Sequence, residues 1–166
     1  MAKIYSVWNG ASVTTASPVP VTSGVATTKS LLVLSTSANR EARVVEWSME
    51  GDASAAATPG LAELLFHGSG AATVTAYVAG DIKKYEPNSV ASQLTLGTAN
   101  SGYTASVEGT PAGGTFSIVH QIPPTSGIYV QYPLGREPEI AVSTFMRMRT
   151  KFAAAVNLIA YVSWEE

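Results

Sequence analysis

VNLIAYVSW, residues 156–164, decides the fold: Val156, Leu158, Ala160, Val162 and Trp164 alternate with Asn157, Ile159, Tyr161 and Ser163. A period of two sends successive side chains to opposite faces, so this stretch reads as a β-strand with one apolar face. The same period recurs upstream. Val45, Trp47 and Met49 alternate with Glu46, Ser48 and Glu50, and Phe116, Ile118, His120 and Ile122 alternate with Ser117, Val119 and Gln121. Shorter candidates are Ile4–Trp8, Ser30–Leu34, Ala72–Ala79, Tyr103–Val107, Ile128–Tyr132 and Val142–Arg149. Nine or ten short strands at close spacing predict an all-β chain, an antiparallel, jelly-roll-like β-sandwich.

Turn residues punctuate these strands. Asn9-Gly10 between Ile4–Trp8 and Ala11–Thr14 fits a type I′ hairpin, whose two central residues need positive φ. Gly80-Asp81, Gly113-Gly114, Pro123-Pro124 and Pro133-Leu134-Gly135 mark later connections. Helix is scarce. Gly60–Phe66 carries Leu61, Leu64 and Leu65 at helical spacing, yet Leu61, Glu63 and Leu65 suit a strand equally. Residues 151–156 read as a bend entering the last strand. The first 30 residues, rich in Ser, Thr, Ala and Val, read as an extended N-terminal arm or an edge hairpin, and residues 31–166 as the sandwich, within a single domain.

Composition narrows the function classes. The chain has 166 residues, ten basic against twelve acidic side chains, no cysteine, and only 13% charged residues, about half the usual share. That balance offers no electrostatic footprint for nucleic acid. Without cysteine there are no disulfides, zinc–thiolate sites or thiol catalysis. The longest stretch free of Lys, Arg, Asp and Glu, Gly109 to Gly135, is broken by prolines and glycines and cannot be a membrane-spanning helix. The amino terminus lacks the apolar core of a signal peptide. No partner nucleic acid and no membrane are expected.

The charges are grouped. Six fall in Arg40–Asp52, four in Asp81–Glu86 and six in Arg136–Lys151, leaving long uncharged runs between. Soluble proteins usually intersperse charge over their surface, so the uncharged runs are where contacts with other subunits are expected. Arg147, Arg149 and Lys151 occupy alternate positions and share one face of an unbroken strand. They read either as a solvated ladder within one subunit or as an interface stripe, with charge reversal at Arg147 and Arg149 as the natural test.

No constellation points to catalysis. Two histidines, His67 and His120, and two aspartates, Asp52 and Asp81, offer no triad, and no nucleophile elbow is present. Glu63 and His67 have helical spacing for two metal ligands but lack a third. No phosphate-binding glycine motif occurs. The expected inventory is therefore no catalytic residue, no metal and no cofactor: not an enzyme. Trp47 and Trp164 lie on apolar strand phases and belong in the core, whereas Trp8, beside the Asn9-Gly10 turn, is the aromatic best placed for exposure. Together with Arg147, Arg149 and Lys151 it completes the set of interface candidates.

RVVEWSMEGDASAAATPGLAELL (Arg43–Leu65), together with YPLGREPE (Tyr132–Glu139) and the terminal AYVSWEE (Ala160–Glu166), resembles small structural proteins of tailed bacteriophages, especially head decoration or minor capsid proteins. The resemblance implies a β-sandwich that binds and stabilises an assembled head shell. It implies the major capsid protein as partner, a homo-oligomer such as a trimer, and a place in the virion after assembly in the host cytoplasm. A tail or baseplate component, or a carbohydrate-binding module recognising a host surface through Trp8, are the alternatives.

Overall fold

The computed structural model describes residues 2–12, 19–52 and 58–166. Among them run thirteen strands: β1 (Ile4–Trp8), β2 (Val21–Thr22), β3 (Lys29–Ser35), β4 (Ala42–Gly51), β5 (Gly60–Ser69), β6 (Thr73–Ala76) and β7 (Lys83–Lys84), then β8 (Gly102–Val107), β9 (Ala112–Ile122), β10 (Gly127–Gln131), β11 (Glu139–Ile140), β12 (Phe145–Lys151) and β13 (Asn157–Glu165). The helical content described is one 3-10 turn, Ala79–Asp81. Gly60–Phe66, open between helix and strand in the sequence, lies in β5.

Two antiparallel sheets face each other. The first has the order β10-β4-β13-β1-β7, with β11 on β4 and β2 on β13; the second has the order β6-β8-β3-β12-β5-β9. The long strands β3, β4, β5, β9, β10, β12 and β13 are shared between the two sheets, and the late strands β12 and β13 pair with early ones: β12 lies between β3 and β5, and β13 between β1 and β4. That nesting of β1-β13-β4-β10 over β3-β12-β5-β9 is the double Greek key of a jelly roll. The sandwich expected from the period-two pattern is the observed fold.

The core fills the gap between the sheets. Tyr5, Trp47, Met49, Leu158, Val162 and Trp164 project from the first sheet, and Leu32, Leu34, Leu64, Met146 and Met148 from the second, all buried. Tyr5 stacks on Trp164 with ring centroids 5.9 Å apart, and the Trp47 indole donates to the Tyr132 hydroxyl at 3.3 Å. Truncating either tryptophan to alanine removes a large apolar surface and leaves a cavity, a change that costs about 3–5 kcal/mol in comparable cores. The register slips between Ser163 and Trp164 opposite β4, where Ser163 pairs with Glu46 and Trp164 with Val44. Val45 is thus the extra residue of a bulge, and Val44, Trp47 and Met49 form the inward set.

The first 30 residues contribute β1 and β2, both paired with β13, while residues 13–18 lie outside the described part. The second strand expected after Asn9-Gly10 falls partly on those residues. At the turn itself neither Asn9 nor Gly10 has positive φ, so the type I′ turn does not form. Asn9 instead prolongs the ladder: its amide donates to the Leu158 carbonyl at 3.1 Å and its Oδ1 accepts from the Ala160 amide at 2.9 Å. A carboxamide has the donor and acceptor of a peptide group, and here that similarity outcompetes the hairpin.

Residues 70–111, between β5 and β9, form an insertion that carries β6, β7 and β8. It adds β7 beside β1 in the first sheet and β8 and β6 beside β3 in the second. One flank of the sandwich is closed in this way. The opposite flank ends in β9 and β10.

Candidate interaction surfaces

The outer face of the second sheet is laid out in rows. Arg147, Leu65 and Ser117 form one, Arg149, Glu63 and Val119 the next, and Lys151, Leu61 and Gln121 the third, running from β12 through β5 to β9. The three basic residues do share a face, as their spacing predicts, but their environments differ completely.

Arg147 is 0% exposed. Its guanidinium donates through Nη1 to the Glu108 carbonyl and through Nη2 to the Gly70 carbonyl, the two ends of the 70–111 insertion. The Glu108 carboxylate in turn accepts from the backbone amide and hydroxyl of Ser30, each at 2.6 Å. One buried cation thereby ties the neck of the insertion to β12 and β3. Gly70 has φ +82°, and a Cβ there would sit 1.8 Å from the Thr110 carbonyl oxygen, so only glycine brings that carbonyl to Arg147. Burial pulls the Arg147 guanidinium below its ordinary range, partly offset by Glu108. Counted among the interface candidates, Arg147 is instead found buried, with its guanidinium bonded within the chain.

His67 lies on the neighbouring strand β5, paired with Phe145 of β12. It is buried and stacks on Phe145 at 5.2 Å, and its Nδ1 contacts the Ser69 carbonyl at 2.9 Å. A carbonyl cannot donate, so Nδ1 carries the proton and Nε2 is left as an acceptor. Burial, then the nearby Arg147 charge, push the imidazole below its usual range. Because β5 is a strand, Glu63 and His67 stand about 13 Å apart along the chain, and no cluster of three metal-ligating side chains occurs among the described residues.

Arg149 is paired. Its Nε and Nη2 donate to one oxygen of Glu63 at 2.8 and 2.6 Å, and the Ser117 hydroxyl donates to the other at 2.8 Å. Lys151 is exposed, makes no ion pair among the described residues, and borders a groove with Leu61, Gln121 and Phe152. Of the stripe, Lys151 is the one free cation among the described residues.

The flanks differ as sharply. On the closed side the edge strands are short, four residues in β6 and two in β7, and β7 consists of Lys83 and Lys84. Brevity and lysine are the usual guards against unwanted strand pairing. On the open side β9 is eleven residues long and β10 five, and neither carries a charged residue. Phe116 and Val119 on β9 are 43% and 52% exposed. His120 is half-buried, its ring 6.1 Å from the core ring of Trp47 at the open margin. The charge-free run Gly109–Gly135 supplies β9 and β10 of this flank, and β11, with Glu139, continues the same edge of the first sheet along β4.

The outer face of the first sheet is aromatic and hydroxylated. One row crosses Tyr129, Ser48, Tyr161 and Trp8 on β10, β4, β13 and β1; the next crosses Gln131, Glu46, Ser163 and Ser6. Glu46 accepts from the hydroxyls of Tyr129, Tyr85 (3.0 Å) and Tyr161 (3.2 Å). Burial pushes the Glu46 carboxyl up, but the hydroxyl bonds outweigh it and hold the group below the ordinary carboxylate range. Ser6, Ser48 and Ser163 are buried beneath the rings, whereas Tyr129 and Tyr85 remain 57% and 52% exposed. Trp8 is half-buried, its indole folded over Gly10. The tyrosine cluster was not singled out in the sequence; the only signal for it was Tyr161 and Glu46 on the outward phase of their strands.

No protein-family model, no curated protein and no solved structure matches this chain. The surfaces themselves carry the functional argument.

Proposed function

We propose that this chain is a structural protein of a tailed-phage virion, a decoration protein that binds the assembled head shell and stabilises it as a homo-oligomer, with the major capsid protein as its partner. The observation supporting this reading is the open flank: a charge-free run of 27 residues, Gly109–Gly135, supplies the long edge strand β9 and the edge strand β10 side by side. Unpaired edge backbone invites strand addition, which needs no particular side chain in the partner. Repeated over a shell lattice, individually weak contacts of this kind become strong through multivalency. The resemblance of Arg43–Leu65 and Tyr132–Glu139 to head decoration proteins points the same way.

Immunogold labelling with antibody to this chain, on virions from the culture that carries the sequence, tests the reading. Label over the heads is expected, and Val119→Lys, which places a charge on β9, should reduce incorporation at least tenfold. Label on tails, or none on particles, overturns it.

A further inference from the structure

We propose that the outer face of the first sheet, centred on Tyr129, Ser48, Tyr161 and Trp8, is where copies of this chain bind one another. A solvated sheet face ordinarily alternates to charged and polar residues. This one carries Tyr129, Tyr161 and Trp8 beside the buried Ser6, Ser48 and Ser163, while the other charges lie around that row: Arg43 with Glu41, Lys3 with Glu86, Glu50 one row away between Gly127 and Ile159, and Lys83 beside Ser6 on β7. An aromatic centre inside a charged rim is the anatomy of a protein interface.

Two properties select a second copy as the occupant. Rotational symmetry brings residues near the axis against their own counterparts, so a self-associating centre cannot tolerate unpaired charge. Glu46, the single ionisable carboxylate there, is already enclosed by three phenol hydroxyls. The phenol group also both donates and accepts, and is therefore complementary to itself. The size fits as well. Four strands at about 4.8 Å spacing and nine residues of β13 at about 3.3 Å each give a face of roughly 19 by 30 Å, the scale of one side of a standard interface.

The inference rests on the homo-oligomer part of the proposed reading and names the surface for it; it shares β10 with the open flank, but shell binding is read on virions and self-association on the purified chain, so the two fail separately. Light scattering of the purified chain should give a defined oligomer. Tyr129→Arg should lower the mass to that of the 17.3 kDa single chain while retaining a cooperative unfolding transition. Should that variant not fold, cross-linking decides. The chain has no cysteine, so Gln131→Cys, on the proposed face, should cross-link between copies with a short bis-maleimide, and Val119→Cys, on the other sheet, should not. A monomeric wild type, an undiminished mass for Tyr129→Arg, or cross-linking through Val119→Cys alone overturns the proposal. So does a monomer that binds glycans and loses that binding on Trp8→Ala, which would make the same face a saccharide platform.

Discussion

The two outer faces of this sandwich are built on the same strand geometry and handle polarity in opposite ways. On the second sheet, Arg147 is buried and committed to backbone carbonyls, and Arg149 is neutralised by Glu63, whose other oxygen accepts from Ser117. Of its basic stripe only Lys151 is left unpaired among the described residues. On the first sheet the single central carboxylate is wrapped by tyrosine hydroxyls whose rings stay exposed. Charge is satisfied there too, but aromatic surface is left over. The comparison teaches that a stripe of basic residues in sequence can be a structural device inside the chain, while tyrosines scattered in sequence can converge on one exposed surface.

Variants should sharpen this contrast in graded order. Arg147→Ala leaves two buried carbonyls without a donor and releases the neck of the insertion; a loss of about 3–5 kcal/mol is expected in denaturant unfolding. A loss under about 1 kcal/mol would show that the neck is held by other contacts. Arg149→Ala removes a partly exposed ion pair and should cost about 1 kcal/mol or less, with the loss shrinking in high salt. Lys151→Ala should stay within about 0.5 kcal/mol, so that any effect on particle binding is separable from folding.

The acid response distinguishes the faces again. His67 has its folded-state pKa lowered by burial and by Arg147, so it favours folding fully only above its unfolded value and destabilises as pH falls below it. Thermal melts from about pH 7.5 to about pH 5.5 should therefore show a decline that His67→Phe reduces. An identical decline in the variant would assign the acid sensitivity elsewhere. Glu46, also lowered, loses its contribution only at more acidic pH, as it protonates.

Much of the architecture is legible in the chain because its strands are long and alternate strictly. Ile4–Trp8 is found with the expected bounds and β10 and β13 within one residue of theirs, whereas β9 starts at Ala112 and takes in Gly113-Gly114, expected as a connection, and β12 starts at Phe145 rather than Val142. The short pairs β2, β7 and β11 carry no periodic signal, since two residues cannot establish a period. Asn9-Gly10 misleads for a specific reason: turn preference is local, whereas the carboxamide of Asn9 meets a strand that lies about 150 residues further along. Interface candidates fare unevenly for the same cause. Alternation places Arg147, Arg149 and Lys151 on one face, but whether a loop covers that face depends on an insertion distant in sequence.

The sequence by itself determines the class of fold, the inward phase of β13 and the charge-free run, because these depend on period, composition and order along the chain, whereas the bulge that turns Val44 rather than Val45 inward is set by pairing with β13. Only the tertiary structure decides that this run becomes one open flank, that Arg147 holds both ends of the 70–111 insertion, and that Tyr85, Tyr129 and Tyr161 converge on Glu46. The physical reason is that hydrogen bonds and burial act through space. Residues from β4, β10, β13 and the segment after β7 become neighbours only when the jelly-roll nesting brings them to one face.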